Sequence, residues 1–593
     1  MTAQPAGPDP TALDPKAISK AAGDSASKDA LARLRREVAA ARATQASLPH
    51  LKRALAAIGA NDFKRGLELA RKAAQADPGN VLAHHLSAIA HEKLGDWLAS
   101  IEAYEKALAI KPDSPEIAND LGRLAFRMNM LPQAEALFRY HLSMRPNAPE
   151  SANNLGCVLR DQMRYDEAID VLKPAIQAHP DRALLWNTLG TVLTDMDQAD
   201  QAVIFFTECL RLDPRHAKAR YNRSNLLFAM GDTEQALEDC RVAYEETKVP
   251  DEKATIRIAL ATMQLASGDL SQGWESYEAR LSPDFHDPVH FLAQGQGWRP
   301  FDDIEGKHLL LIGEQGLGDE VLFANMLDDV VDKLGPAGRL TLTVDRRLIP
   351  LFQRSFPRIE VAGHHTVKRM NRNFRSIPSI KDWGEVDLWA PMAQPLREFR
   401  LKLEDFPDRP QGFLKADPER VAHWTRQLAA LPGPKVGLVW TTMVITSARR
   451  KYYSPFDRWG PILQTPGVTF VNLQYGDTAA DLRMVKERFG VDIVTPEGID
   501  LKMDLDDLAA LCCAMDLVIG PANATSNIAA ACGVPTWLIA TPAAWTQLGT
   551  DRYPWYTQAR VFAAKALGDW DPVIAEIGGA LGDFAAAPLS KAG

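Results

Sequence analysis

The sequence predicts an α + α/β chain, in which an α-helical repeat solenoid is followed by two Rossmann-like halves facing a cleft. Three observations predict it. Proline recurs at Pro78, Pro112, Pro146, Pro180 and Pro214, always 34 residues apart. That periodicity stops near residue 284. From residue 307, short continuous apolar runs alternate with helical segments, as parallel strands covered on both faces require.

The chain has 593 residues, enough for three or four domains at ~150 residues each. Its 46% hydrophobic and 24% charged residues are those of a soluble globular protein. A net charge of −9 argues against general nucleic-acid binding. No apolar run approaches the ~20 residues that span a bilayer, so membrane insertion is not expected. The first residues, MTAQPAGPDPTALDPKA, lack a basic and then apolar leader, so secretion is not expected either. None of the six cysteines forms a C-x-x-C pair, and adjacent Cys512 and Cys513 read as small core residues. A reduced, cytoplasmic chain follows. Residues 1–27, rich in Ala, Pro, Asp and Ser, are expected to be disordered, and 581–593 to form a flexible tail.

Residues 28–284 carry the repeats. Each recurring proline ends an amphipathic helix, as in RKAAQADP and EKALAIKP, because proline cannot continue one. Small residues recur in phase, at Gly122, Gly156 and Gly190 and at Ala134, Ala168, Ala202 and Ala236, where antiparallel helices must approach closely. This is the tetratricopeptide pattern, with a drifting sixth repeat and a degenerate seventh over 251–284. Such an array usually holds another polypeptide. Amides and one acid stand in register along its first helices, at Asn119, Asn153 and Asn187 and at the neighbouring positions Asp120, Asn154 and Asn222. They read either as a ladder for an extended peptide backbone or as groups satisfying helix ends and neighbouring repeats.

Residues 285–305 read as a connector. The first half, 306–430, holds candidate strands HLLLI, RLTLTVD and VDLWA. The second, 431–580, holds KVGLVW, VTFVNLQ, VDIVTP, DLVIG and PTWLIA.

After HLLLI comes GEQGLGDE, residues 313–320. Its glycines, Gly313, Gly316 and Gly318, read G-x-x-G-x-G, the reverse of the dinucleotide fingerprint. Glu314 and Asp319 would repel a phosphate there. After DLVIG, the segment PANATSNIAAAC places a turn and a helix start at a strand end. Backbone N–H groups of Ala524, Thr525 and Ser526 could meet a phosphate at the positive dipole end, with two hydroxyls beside them; alternatively Asn523 or Thr525 is an ordinary N-cap. The basic run Arg449, Arg450 and Lys451 follows another strand end and precedes YYSPFDRW. It reads as a ligand edge or a solvated face. Gln474 ends VTFVNLQ and would border the same cleft. Asp504 and Asp506 form a D-x-D, read as the acidic start of a helix rather than a Mg²⁺ site. The thirteen histidines include no H-E-x-x-H, His364 and His365 are assigned no role, and no metal is expected.

A repeat array followed by GWESYEARL, GKHLLLIGEQGLGDEVLFANML, VGLVW…RRKYYSPFDRWGPIL, VNLQYGD, DLVIGPANATSNIAAACGVPTWLI and YPWYTQARVF resembles bacterial tetratricopeptide-repeat glycosyltransferases of the GT-B fold. The likeness covers about residues 50 to 580. The catalytic half is similar to heptosyltransferases and, in layout, to the protein O-GlcNAc transferase. Within the family, the sequence most resembles flagellin nonulosonic-acid glycosyltransferases (FlmG type). The resemblance implies a metal-independent transferase without a cofactor. It would move a pseudaminic- or legionaminic-type sugar from a CMP donor to Ser/Thr of flagellin held by the repeats. A non-catalytic repeat adaptor, or a transferase using another sugar or a lipid-linked acceptor, are the alternatives. The family usually shows an Asp and then a His after the DLVIG strand; here Asn523 and Asn527 stand in that segment.

On this resemblance, Arg449, Arg450, Lys451, Gln474, Asn523, Ala524, Thr525, Ser526 and Asn527 are expected to bind the donor. The loop of Gly313, Gly316 and Gly318 lines the acceptor side, where glycines would let the backbone turn tightly. Asp319, matching the family's Gly-Asp pair, is the expected general base and Glu314 a second candidate; the other reading of Asp319 is a helix cap.

Overall fold

The computed structural model describes residues 25–286, 288–369, 372–442 and 452–587. It forms two compact units, 1–197 and 198–593, so the boundary falls inside the fifth repeat.

The first unit is helical. A long helix, Ser25–Gly59, is followed by antiparallel pairs such as Pro115–Arg127 with Leu131–Met144 and Pro149–Asp161 with Tyr165–Ala178. The first helix takes in residues 25–27 of the segment expected to be disordered; the rest of that segment lies outside the described residues. The recurring small residues do what the period requires. A Cβ on Gly122 would sit 2.8 Å from the Phe138 ring, and one on Gly156 3.0 Å from Leu172. Ala134 and Ala168 are fully buried at the same crossings. Asp62, Asn80 and Asp96 cap three of the helices with side-chain oxygens.

The second unit opens with the remaining repeat helices, Ala199–Leu212, Ala217–Ala229, Thr233–Glu246, Pro250–Ala266 and Leu270–Tyr277. They lead into two parallel five-stranded sheets. Strands in chain order are β1 (Val289–Phe291), β2 (Gln296–Gly297), β3 (His308–Ile312), β4 (Arg339–Val344), β5 (Glu360–Gly363), β6 (His365–Arg369), β7 (Arg372–Ser376), β8 (Leu388–Pro391), β9 (Lys435–Leu438), β10 (Thr469–Asn472), β11 (Leu517–Pro521), β12 (Thr536–Ala540) and β13 (Ala559–Ala563). One sheet runs β2-β8-β3-β4-β5 and the other β10-β9-β11-β12-β13, every pair parallel. A small mixed sheet, β1-β7-β6, stands beside the first.

Five particulars depart from expectation. The tail expected from residue 581 begins as helix, because Asp571–Ala586 continues that far to bury Leu581. The connector 285–305 contains β1 and β2, too short to show any period. VDIVTP is not a strand: Val494 makes a single bridge to Val471, and Pro496 has no N–H to extend the ladder. Strands β5, β6, β7 and β13 have no counterpart among the expected strands; β6 is exposed throughout, and β7 is polar but mostly half-buried, with Arg375 buried. The helix Pro418–Leu428, expected with the first half, packs on Leu505–Cys513 of the second, with Trp424 Nε1 donating to Asp507 at 2.9 Å.

The degenerate last repeat is welded to the sheets by tryptophan. Trp274 meets Trp545 and Trp555 edge to face, each pair of centroids 6.2 Å apart. Its indole N–H donates to the Arg400 carbonyl at 2.8 Å. Arg400, itself buried, binds the Asn325 side chain and Asp329, so burial of its charge is compensated.

Candidate functional site

The carboxyl ends of β3, β9, β10 and β11 carry the loops of interest, as expected for ligand sites in open parallel sheets. After β3 the chain passes through Gly313 and Glu314 into the helix Leu317–Phe323. The sharp turn is not made by a glycine. Gln315 holds the left-handed conformation, φ 59°, whereas none of Gly313, Gly316 and Gly318 has a positive φ. The glycines serve close approach instead. A Cβ on Gly313 would lie 2.5 Å from a Glu320 oxygen and 2.7 Å from the Thr343 carbonyl. One on Gly318 would lie 3.2 Å from Asn527 Nδ2 and 3.4 Å from the Ala524 nitrogen.

Gly318 is thus one of the places where the two sheet halves touch. Asn527 Nδ2 donates to the Gly318 carbonyl at 3.2 Å, and the helix Leu317–Phe323 packs against Ala524–Ala531. The start of the second-half helix therefore lies beside the first-half loop.

Asp319 sits in the first turn of its helix, half-buried. Its Oδ2 accepts the Gly316 N–H at 3.1 Å, so part of the capping expectation holds. Desolvation raises the Asp319 pKa to about 6, assisted by the charges of Glu314 and Glu320 and opposed by the Gly316 bond. Tyr553 and Tyr556 are buried close by, and Tyr277 is half-buried there. Their pKa values are raised by burial, and the Asp319 charge adds to this in all three.

Glu314 does not have the freedom of a base. Only 1% exposed, it receives Arg280 Nε at 2.7 Å and Nη2 at 2.9 Å, and its Oε1 also accepts the Ala393 N–H at 2.7 Å. It anchors the loop to the last repeat. Glu320 is the corresponding strut on the other side. Its Oε1 pairs with His364 Nε2 at 2.8 Å and its Oε2 accepts the Asp345 N–H at 2.8 Å. Arg375 donates to the Gly313 carbonyl. His364, left without a role by the sequence, is a buried brace of this loop.

The expected donor groups divide. Arg449, Arg450 and Lys451 lie outside the described residues. Gln474, 3% exposed, spends its Oε1 on the N–H groups of Trp440 and Thr441, at 3.0 and 2.9 Å, and its Nε2 on the Tyr475 carbonyl. It shapes the chain entering the basic segment instead of facing a ligand. Asn523 is the N-cap, its Oδ1 accepting the Ser526 N–H at 3.2 Å. Ser526 is fully buried and its hydroxyl donates to the Pro521 carbonyl at 2.6 Å. Thr525 is 1% exposed. These two hydroxyls therefore do not face outward as the sequence suggested, because the tight turn after β11 folds them under the helix. The N–H groups of Ala524 and Thr525, ahead of the capped ones, take no hydrogen bond among the described residues, and they keep the dipole end available to an anion. Asn527 holds the two halves together rather than reaching a ligand.

A cavity of ≈ 670 Å³ opens next to this helix start. Asn225, Phe228 and Met263 of the repeats line one side; Tyr452, Ala522 and the loop Thr541–Thr546 line the other. Among the described residues no cluster of His, Cys, Asp or Glu could hold a metal. Asp504 caps the helix Leu505–Cys513 and pairs with Arg420, while Asp506 pairs with Arg354 at 2.8 Å through both oxygens, the structural role expected of the D-x-D.

Along the first helices of the repeats, amides are partly spent between repeats. Ser151 donates to Asn119 at 2.8 Å, Thr188 to Asn153, and His85 pairs with Asp120 at 2.8 Å. Asn187 is 8% exposed. The ladder is thus a repeat-to-repeat bond at those positions, because the 34-residue spacing stacks each rung on the next. Asn154 and Asn222 are half-buried.

Models of the tetratricopeptide repeat match residues 51–115, 119–185, 183–216 and 205–238. Protein FlbA of Caulobacter vibrioides is 47% identical over 575 residues, covering 97% of this chain and 96% of that protein. Among solved structures, PilW, a widely conserved type IV pilus biogenesis factor, is 24% identical over 34% of this chain and 90% of its own, with a TM-score of 0.30. TTC0263, a thermophilic TPR protein of Thermus thermophilus, is 21% identical over 31% of this chain and 100% of its own, with a TM-score of 0.28. No helix among the described residues is long and apolar enough to cross a membrane.

Proposed function

The chain belongs to the family of Protein FlbA of Caulobacter vibrioides, and on that premise we propose that it is a GT-B-type, metal-independent protein O-glycosyltransferase of the cytoplasm. Its repeats hold flagellin, and its two sheet halves transfer a nonulosonic sugar from a CMP donor to Ser or Thr. One observation carries the reading. A desolvated carboxylate, Asp319, with a pKa near 6, stands in the loop that touches the open N-terminus of Ala524–Ala531. A base and an anion site on facing halves are the two parts glycosyl transfer needs.

In this reading the acceptor hydroxyl enters through the cavity between Asn225, Phe228 and Tyr452. Its oxygen bonds to the anomeric carbon as the sugar–phosphate bond breaks, and Asp319 takes its proton. CMP leaves with its phosphate on the N–H groups of Ala524 and Thr525 and the charge of Lys451, with Arg449 or Arg450 meeting the sugar carboxylate. A GT-B fold is supported by the two parallel sheets meeting at Gly318 and Asn527.

The burial of Thr525 and Ser526 favours the second reading, a repeat adaptor whose transferase half has lost activity. Intact-mass analysis of flagellin co-expressed with this chain and a nonulosonate pathway separates the two. A sugar-sized mass increment that Lys451→Ala abolishes supports the transferase. Unmodified flagellin across a panel of nucleotide sugars supports the adaptor.

A further inference from the structure

The β6–β7 hairpin is strongly charged and has no part in the chemistry above. Residues 364–381, HHTVKRMNRNFRSIPSIK, contain five Lys and Arg and no Asp or Glu, in a chain of net charge −9. All five residues of β6 are exposed, and so is Arg372. Arg375 is consumed at the root of the hairpin, on the Gly313 carbonyl and Thr366. Lys368, Arg369 and Arg372 pair with no carboxylate among the described residues.

Two features make this more than a solvated face. First, Arg369 and Arg372 stand directly opposite each other in the antiparallel register. Like charges in that position oppose strand pairing, so the arrangement costs the fold and is relieved by an external anion. Second, β6 is an edge strand, bonded to β7 alone among the described residues. Its outer row of backbone groups can receive another extended chain. Charged residues on an edge also discourage self-association, but that purpose does not require cations facing each other across the pair.

We propose that this hairpin is a docking edge for an acidic, extended polypeptide segment of a partner protein. The segment adds as a strand to β6, and its carboxylates meet Lys368, Arg369 and Arg372. A polypeptide fits better than a nucleic acid or a lipid surface. The free strand edge offers backbone partners in extended register, and the net negative charge of the chain repels large polyanions.

Fluorescence anisotropy with the full chain and a labelled short peptide of alternating Glu and Val tests this. The expected result is saturable binding that weakens at least about tenfold, ~1.4 kcal/mol, in Lys368→Glu/Arg369→Glu/Arg372→Glu, with an unchanged melting curve. Should that variant misfold, Lys368→Gln/Arg369→Gln/Arg372→Gln is measured instead, with the same expectation. A peptide N-methylated at alternate residues is expected to bind at least about tenfold more weakly, since it cannot complete the ladder. Equal binding by the variant, or equal binding of the methylated peptide, overturns the proposal. So does tighter binding of short duplex DNA or phosphatidylglycerol vesicles than of the peptide at the same salt.

Discussion

Arg280 and Glu314 form a buried bidentate ion pair, 2.7 and 2.9 Å long, that ties the end of the last repeat to the loop carrying Asp319. Both side chains are almost wholly out of solvent. Removing one partner leaves the other charge buried and unpaired. Arg280→Ala is expected to lower stability by roughly 3–5 kcal/mol, measured by chemical denaturation. The double variant Arg280→Met/Glu314→Gln should lose less than either single change to alanine.

Asp319 is raised to about 6, and a general base works only when deprotonated. The transfer rate should therefore rise through pH 6 and level off above it, in a profile of kcat/KM against pH. Asp319→Asn should lose roughly 10²–10⁴-fold in kcat and no longer show that inflection. Stability runs the other way. The folded carboxyl holds its proton up to higher pH than the unfolded one, so this group costs stability as pH rises from the unfolded value of 3.8 through about 6. Asp319→Asn should accordingly gain more, relative to the parent, at pH 7 than at pH 4. A residue that served only as a helix cap would lose stability and leave the rate profile unmoved.

Gly318 packs against Ala524 and Asn527. In Gly318→Ala the new methyl must push the second-half helix aside and stretch the Asn527 bond. Transfer is expected to fall roughly 10- to 100-fold, because small displacements between reacting groups are costly. The melting temperature should drop only slightly. Steady-state kinetics beside a thermal melt separates the two effects.

Gly122→Ala tests the repeats. The added Cβ would meet the Phe138 ring at 2.8 Å, an overpacking expected to cost roughly 1–3 kcal/mol. Gly579, where an added Cβ meets nothing, should tolerate the same change.

The solenoid was legible because one contact is repeated: Gly122 on Phe138 and Gly156 on Leu172 leave the same mark every 34 residues. The buried strands β3 and β11 were legible because both faces are covered, so nearly every residue is apolar, and β4 because buried Leu and Val alternate with β-branched Thr. Strand β6 was not, since exposed polar residues on an edge look like a loop, nor was β7, whose RNFRS carries a single apolar residue. In the candidate site, the importance of GEQGLGDE and ANATSN was visible, but the division of labour within them was not. Whether Glu314 is a base or an anchor depends on Arg280, 34 residues away. Whether Ser526 faces a ligand or the Pro521 carbonyl depends on one turn. GWESYEARL and YPWYTQARVF carry no period that would reveal their partners. Only the structure shows Trp274, Tyr277 and Arg280 meeting Trp555 and Glu314, and Tyr553 and Tyr556 lying beside Asp319.

In the proposed reaction, Asp319 accepts the proton of a flagellin hydroxyl as a nonulosonic sugar leaves CMP. The most direct measurement combines purified chain, purified flagellin and CMP-nonulosonate, and reads CMP release together with the intact mass of flagellin. The predicted result is CMP release matched by a sugar increment on flagellin, both lost in Asp319→Asn while flagellin binding persists. CMP release and modification at the parental rate in Asp319→Asn, or no modification by the parent with any nucleotide sugar, would contradict it.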